Sequence, residues 1–173
     1  NIATSGTLAV TGNSTFSGEI ITSTSGTSNV RIGENAGDAI ASGTNYNVVV
    51  GNEAGTNLNG GDSNVFVGYK AGEAATTGGS NTAVGYQALD ATTGSENTAV
   101  GRRALYLNTT GSDNTAVGMN CMDSNTTGNS NVAVGTGCFD ANTTGSNNCV
   151  MGHNAMNATT TGSNNVAIGY IAL

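Results

Sequence analysis

The segment Asn81-Thr82-Ala83-Val84-Gly85-Tyr86-Gln87-Ala88-Leu89 decides the fold, because the chain repeats it at a period of about 17 residues. The spacing Asn-x-x-x-Gly recurs nine times. The asparagines are Asn29, Asn47, Asn64, Asn81, Asn97, Asn114, Asn131, Asn148 and Asn165, and the glycines are Gly33, Gly51, Gly68, Gly85, Gly101, Gly118, Gly135, Gly152 and Gly169. The shortest interval, from Asn81 to Asn97, lacks one turn residue, and the register is restored after it. Loss of a residue at a surface corner is typical of a stacked solenoid.

The composition excludes several classes of protein. The 173 residues include 27 Gly, no Pro, no Trp and only 9% charged residues, with a net charge of -7. The cations are Arg31, Lys70, Arg102 and Arg103, too few to bind a phosphate backbone, so we expect no nucleic-acid partner. The longest apolar runs are a few residues, such as Val48-Val49-Val50, so we expect no membrane insertion.

Each repeat contains an apolar row at the third position after Asn. Its members are Ile32, Val50, Val67, Val84, Val100, Val117, Val134, Met151 and Ile168. Because strand side chains alternate between two faces, we predict that this core row and the first residue after Asn face the core of the solenoid. The second residue then points to the opposite face. It is mostly small and apolar, which predicts a partner there, and the candidate trimer-interface residues are Ala83, Ala99, Ala116, Ala133 and Ala167.

The rest of the repeat predicts a second inward segment and a corner. A small residue such as Ala88 is followed in most coils by Leu89 or an equivalent large residue, or in others by Gly. The remainder, as in Asn125-Thr126-Thr127-Gly128, has turn chemistry. Nothing in the repeat favours a helix. The spacing therefore predicts an all-β parallel solenoid of about nine 17-residue coils, with the nine asparagines stacked in one hydrogen-bonded column.

The repeat Asn-Thr-Ala-Val-Gly-Tyr-Gln-Ala-Leu, its late copy Asn165 to Leu173 and the Asn-Thr-Thr-Gly-Ser corners resemble the repeats of bacteriophage tail fibres. They are also similar to the head repeats of trimeric autotransporter adhesins, although those heads usually have a shorter repeat. The resemblance covers residues 29–173 and implies left-handed β-rolls assembled as a parallel homotrimer. Residues 1–28 resemble the β shaft segments of phage fibres, so we divide the chain into a shaft or connecting segment, 1–28, and a solenoid domain, 29–173, whose last coil is incomplete.

The sequence offers few residues for catalysis or metal binding. His153 occupies a variable position and is interpreted as an exposed spacer. Cys121, Cys138 and Cys149 occupy slots that Ala, Thr or Val fill elsewhere, so we interpret them as small core residues. We expect no catalytic residue, no cofactor and no metal site. The formal glycosylation acceptors Asn13, Asn108, Asn125, Asn142 and Asn157 arise from the repeat period and are expected at exposed corners.

Acidic residues recur nine positions after the repeat Asn, at Asp38, Glu73, Asp90, Asp123 and Asp140. A cation could bridge Asp123 and Asp140 on adjacent coils, but a solvated acidic edge that keeps the rod soluble is the favoured interpretation.

These observations predict a structural, non-enzymatic segment of a trimeric phage tail fibre, located in the virion or at an extracellular surface. It would act as a rigid rod for host attachment, with possible contact to a cell-surface glycan or protein receptor through Tyr86, Arg102, Arg103, Tyr106 or His153. The alternative is the head of a bacterial trimeric adhesin that binds matrix protein or glycan. A tailspike enzyme with its catalytic groove elsewhere is the third possibility.

Overall fold

The computed structural model describes residues 28–41 and 43–173. The predicted shaft therefore lies, apart from Ser28, outside the described residues. Over the described ranges the chain is all-β and no residue adopts an α-helix. Accordingly, this part of the chain contains no helix that could cross a membrane.

Nine three-residue strands form one parallel sheet, in which each strand pairs only with the strands before and after it in sequence. They are β1 Val30–Ile32, β2 Val48–Val50, β3 Val65–Val67, β4 Thr82–Val84, β5 Thr98–Val100, β6 Thr115–Val117, β7 Val132–Val134, β8 Cys149–Met151 and β9 Val166–Ile168. The register is constant, so that Ala83 pairs with Ala99 and Ala99 with Ala116. The predicted parallel β-solenoid is confirmed, with about eight turns between the first and last strands.

The two faces of each strand are the reverse of the prediction. The middle residue points inward, and Ala83, Ala99, Ala116 and Ala133 are 0% exposed and Ala167 3%. The predicted core row points outward and is exposed or half-buried: Ile32, Val50, Val67, Val84, Val100, Val117, Val134, Met151 and Ile168. The physical reason is the width of a 17-residue coil, whose interior accepts a small side chain at the strand when a large one enters from the opposite turn.

That opposite turn supplies the large core side chains, as the second inward segment predicted. Its buried large residues are Leu89, Leu105, Met122, Phe139 and Met156. Each adopts a left-handed backbone, with φ between 46° and 54°. This conformation is costly for a non-glycine residue and persists because the packed coil holds it in place. The buried side chains of all coils form a single continuous core.

The repeat asparagines form a buried column along the solenoid. The backbone N–H of each donates to Oδ1 of the repeat Asn one coil earlier, at 2.8–3.1 Å. From Asn47 to Asn148, Nδ2 also donates to the carbonyl of the corner glycine that ends the same coil, as from Asn81 to Gly94 at 3.0 Å. These ladder asparagines satisfy the backbone groups of the corner and fix the stacking register.

The repeat glycines are required by both conformation and space. Their φ values lie between 131° and 141°, a region that residues with a side chain rarely adopt. At Gly118 an added Cβ would collide with the carbonyl group of Gly135 on the next coil. Glycine therefore ends each strand where successive coils approach most closely.

Candidate functional site

A second buried asparagine column lies at a corner that the sequence had marked as exposed. Asn108, Asn125 and Asn142 are 0% exposed, so the expectation that these acceptor sequences lie at exposed corners is wrong for all three. Asn125 Nδ2 donates to Asn108 Oδ1, and Asn142 Nδ2 to Asn125 Oδ1, both at 2.7 Å. The 17-residue spacing of these asparagines is the sequence signal that could have predicted a second stacked column. Both asparagine columns are buried and structural, so a functional site would have to lie on the outer surface of the solenoid.

The outward face of the nine-stranded sheet is apolar and uncharged. Its first row is Val30, Val48, Val65, Thr82, Thr98, Thr115, Val132, Cys149 and Val166, and its second row is the predicted core row. No residue of either row is fully buried, and at the last strand Val166 and Ile168 are 70% and 67% exposed. With a strand spacing of about 4.8 Å, the eight intervals give the face a length of roughly 38 Å.

Two largely exposed columns border this outer face. The leading edge consists of the residues immediately before the ladder asparagines: Ser28, Tyr46, Ser63, Ser80, Glu96, Asp113, Ser130, Asn147 and Asn164. The trailing edge consists of the residues one position after the repeat glycines: Glu34, Asn52, Tyr69, Tyr86, Arg102, Met119, Thr136, His153 and Tyr170. Leading-edge residues have φ near 60°, so the chain turns sharply before it enters each strand. The outer face is thus an apolar strip between two polar or aromatic margins.

An open groove of about 440 Å³ lies between the leading edge and the first row of the outer face. It spans β7 to β9, and Val132, Cys149 and Val166 line it together with Asn147 and Asn164. Cys149 was interpreted as a core residue, but it is half-exposed on the outer face. Strand alternation explains the difference, because Cys149 occupies the first strand position and only the second points inward.

The other two cysteines lie in the core, where the sequence placed them. Cys121 and Cys138 are fully buried on adjacent coils, and both are free thiols. Their Sγ atoms contact the carbonyl oxygens of Ala133 and Val150. The hydrogen bond with Cys138 and burial raise the pKa of the Cys121 thiol, so that thiol stays protonated and is a poor nucleophile.

The acidic column forms a partly buried edge away from the outer face. Burial, followed by the charge of Glu73, raises the pKa of Asp90 to about 6. Burial also raises the pKa of Asp123, against the opposing effect of Arg103, whose Nη2 lies 3.0 Å from Asp123 Oδ2. Burial and then the charge of Asp123 raise the pKa of Asp140. Arg103 thus occupies the place next to Asp123 where a bridging cation was considered, and the described residues contain no cluster of three or more metal-binding side chains.

Aromatic residues of the trailing edge stack from coil to coil. The ring of Tyr69 stacks on that of Tyr86 at 5.4 Å, and His153 stacks on Tyr170 at 5.5 Å. His153 is exposed, as the sequence indicated. Behind this edge the Arg103 guanidinium lies 4.2 Å from the centroid of the Tyr106 ring. These groups can contact a partner through apolar and cationic surfaces.

Comparison of the chain with protein-family models, curated proteins and solved structures gives no match. The function therefore has to be inferred from the surface of the solenoid itself.

Proposed function

We propose that the chain is a structural, non-enzymatic segment of a trimeric fibre of the phage tail-fibre type, located in the virion. Three parallel solenoids pack their outer faces against one another around a common axis and form a rigid rod for host attachment. The left hand of the coil and the number of chains follow the resemblance of the repeats to such fibres. The observation that carries the proposal is the uncharged outer face.

The size of the outer face favours a permanent partner. A strip roughly 38 Å long and about 10 Å wide has an area of about 400 Å², where soluble monomers rarely expose contiguous apolar patches beyond a few hundred Å². All nine residues of its second row are apolar, and the first row adds only Thr82, Thr98 and Thr115 as polar members. No carboxylate or ammonium group would be desolvated by covering it.

The periodicity of the outer face favours another copy of the same chain as that partner. The side chains repeat at the strand spacing along the whole sheet, so only a surface with the same spacing stays in contact over its full length. A parallel copy has that spacing by construction, and a cyclic arrangement closes without leaving an open apolar surface. The proposed interface is therefore formed by the two Val-rich rows of the outer face and not by the Ala row of the sequence prediction, which is buried inside the coil.

Sedimentation equilibrium of the full chain tests the proposal. We expect a mass near 51 kDa, three times 17.0 kDa. The variant Val117→Lys places a charge at the centre of the outer face and should shift the protein toward monomers, whereas Thr110→Lys, at an exposed corner outside the face, should not. A wild-type protein that remains monomeric at high concentration overturns the proposal.

The native thiols provide a second readout that needs no substitution in the face. Cys121 and Cys138 are buried within the coil, and only Cys149 is accessible on a single chain. In the trimer the outer face is covered, so a thiol reagent should modify no cysteine of the native wild-type protein. It should modify one cysteine per chain in the Val117→Lys monomer.

The alternative function, the head of a bacterial adhesin that binds matrix protein or glycan, also predicts a trimer. The exposed Tyr86 and the half-buried Arg103 and Tyr106 favour it, because their aromatic and cationic groups can contact a receptor. Binding to a glycan array or to immobilised matrix proteins, lost in Tyr86→Ala and retained in Thr110→Ala, would support this function. Binding that survives Tyr86→Ala would place recognition elsewhere.

A further inference from the structure

The two margins of the outer face carry opposite charges at the same level of the rod. On the described leading edge the only charged residues are Glu96 and Asp113, on consecutive coils. On the trailing edge the only permanent cation is Arg102, which belongs to the coil that Glu96 begins. The two margins lie on opposite sides of the strip, so these groups face away from each other within one chain.

These three charges lack ionic partners within the described part of the chain. Neither Glu96 nor Asp113 takes part in an ion pair there, and Arg102 donates to the amide oxygen of Asn120 at 3.3 Å and acts on Asp123 only through space, without an ion pair. The neighbouring Arg103 differs, because it is already paired with Asp123. Arg102 is therefore the available cation, and Glu96 and Asp113 are available anions, next to a surface proposed to be covered.

We infer that Arg102 of one protomer pairs with Glu96 and Asp113 of its neighbour, and that this contact sets the polarity of the fibre and restricts its register to within one coil. The inference rests on the proposed function. Rotation about an axis parallel to the rod always brings the leading edge of one chain to the trailing edge of the next. In that arrangement the unlike charges meet at one level, three times per trimer.

Other arrangements lose this complementarity. An antiparallel pair of faces brings like edges together, which places Arg102 against a trailing edge and the carboxylates against a leading edge. A slip of two coils puts uncharged leading-edge residues opposite Arg102. Specificity therefore comes from the cost of wrong pairings as well as from the gain in the right one.

The groove near the last strands is consistent with the same register. It opens on the leading side at β7 to β9, and the trailing edge carries the stacked His153 and Tyr170 at β8 and β9. In a parallel, in-register assembly this aromatic pair of one chain faces the groove of the next. The apolar walls of the groove at Val132 and Val166 suit an aromatic occupant.

Subunit mixing tests the inference on full-length chains. One chain carries Arg102→Glu, so both of its margins are acidic, and a second, of distinguishable mass, carries Glu96→Arg and Asp113→Arg, so both are basic. The two are unfolded, mixed in equal amounts, refolded and weighed by native mass spectrometry. Two wild-type chains of different mass should give the random 1:3:3:1 ratio of trimers. The charge-reversed pair should deplete both homotrimers at least about fivefold, because every contact in a homotrimer then joins like charges.

A matched control carries the same change in net charge away from the margins. Thr110→Glu combined with Thr127→Glu alters the net charge as much as Arg102→Glu, at exposed corners, and should mix randomly with wild type. Random mixing of the charge-reversed pair, with wild type trimeric, overturns the pairing and leaves the trimer intact. A monomeric wild type overturns the proposed function instead. Depletion that persists in 1 M salt also counts against an exposed ion pair, since screening should remove most of it.

Discussion

The first coils and the later coils build the same backbone around different cores. In the coils of β2 and β3 the strand carries a large residue, Val49 or Phe66, and the opposite turn carries Gly55 or Gly72. In the coils of β5 to β7 the strand carries Ala, and the turn carries Leu105, Met122 or Phe139. Each coil thus receives a large side chain in its interior. In the coils of β2 and β3 the strand supplies it, and in the coils of β5 to β7 the opposite turn supplies it.

The corner of the coil differs in the same way. Ile40, Leu58 and Ala75 occupy it in the first three coils, and Asn108, Asn125 and Asn142 in the coils of β5 to β7. An apolar corner tolerates small shifts between coils, whereas an amide column requires equal spacing because each Nδ2 must reach the next Oδ1. The later coils are therefore held in register more strictly than the early ones.

The exchange of core volume gives the largest expected effect. The ring of Phe66 fills the space beside Gly72, where an added Cβ would collide with it. Phe66→Ala should lower the free energy of unfolding by about 3–5 kcal/mol through the cavity it leaves. Adding Gly72→Leu should restore a substantial part, because Leu89 fills the same place one coil later, with φ of 50°.

Chemical denaturation at a fixed chain concentration measures these stabilities. Gly72→Leu alone serves as the control and should be destabilising, since the ring of Phe66 blocks its side chain. If the double variant of Phe66→Ala and Gly72→Leu is no more stable than either single variant, then a side chain in the turn does not replace one in the strand.

The two kinds of corner should not be interchangeable. Asn125→Leu removes both ladder hydrogen bonds of Asn125 and leaves Asn108 Oδ1 without its donor, which should cost about 2–4 kcal/mol. Leu58→Asn should also destabilise the fold, because Ile40 and Ala75 offer no amide above or below it. The exposed Asn157→Leu is the control and should change the stability little. If neither Asn125→Leu nor Leu58→Asn lowers the free energy of unfolding, then the apolar and the amide corners are interchangeable and the prediction is wrong.

Much of this architecture was predictable from the sequence, and the failures have a common cause. The period, the positive φ of the repeat glycines and the buried ladder asparagines follow from residue type and spacing. The orientation of the strand does not, because Ala83 and Val84 are both apolar and alternation alone does not say which row is inside. Coil diameter decides it: Leu89 enters from the opposite turn and fills most of the interior, and the small Ala83 fits in the space that remains. The burial of Asn125 was missed because the sequence Asn-Thr-Thr-Gly is also typical of an exposed turn.

The coil of β4 joins the two regions, and its corner residue should contribute less than a full ladder asparagine. Thr92 Oγ1 accepts from Asn108 Nδ2 at 3.3 Å and from the N–H of Gly94 at 3.0 Å, so it ends the second column. Thr92→Val keeps the shape and removes the acceptor, which should cost about 1–2 kcal/mol. Thr93→Val, which removes only the exposed hydrogen bond from Thr93 Oγ1 to the Thr109 carbonyl, is the control. A neutral Thr92→Val would mean that the column needs no terminal acceptor.

The same junction coil contains Asp90, whose titration should give the smallest effect. One of its carboxylate oxygens is buried without a hydrogen-bond partner, and Glu73 on the preceding coil adds a like charge. The pKa is therefore about 6 in the folded chain, against about 3.9 when unfolded. Between these values the folded state binds more protons, so stability falls as pH rises from 4 to 6 and stays lower above it.

After allowance for solvent screening, the loss should be about 1 kcal/mol. Asp90→Asn should raise the stability at pH 7 and remove this part of the pH dependence. An Asp90→Asn protein with the wild-type slope would assign the titration to Asp123 or Asp140. If Asp90→Asn instead flattens the slope, the partly buried carboxylate of Asp90 destabilises the junction coil at neutral pH, a cost that the ion pair with Arg103 reduces at Asp123.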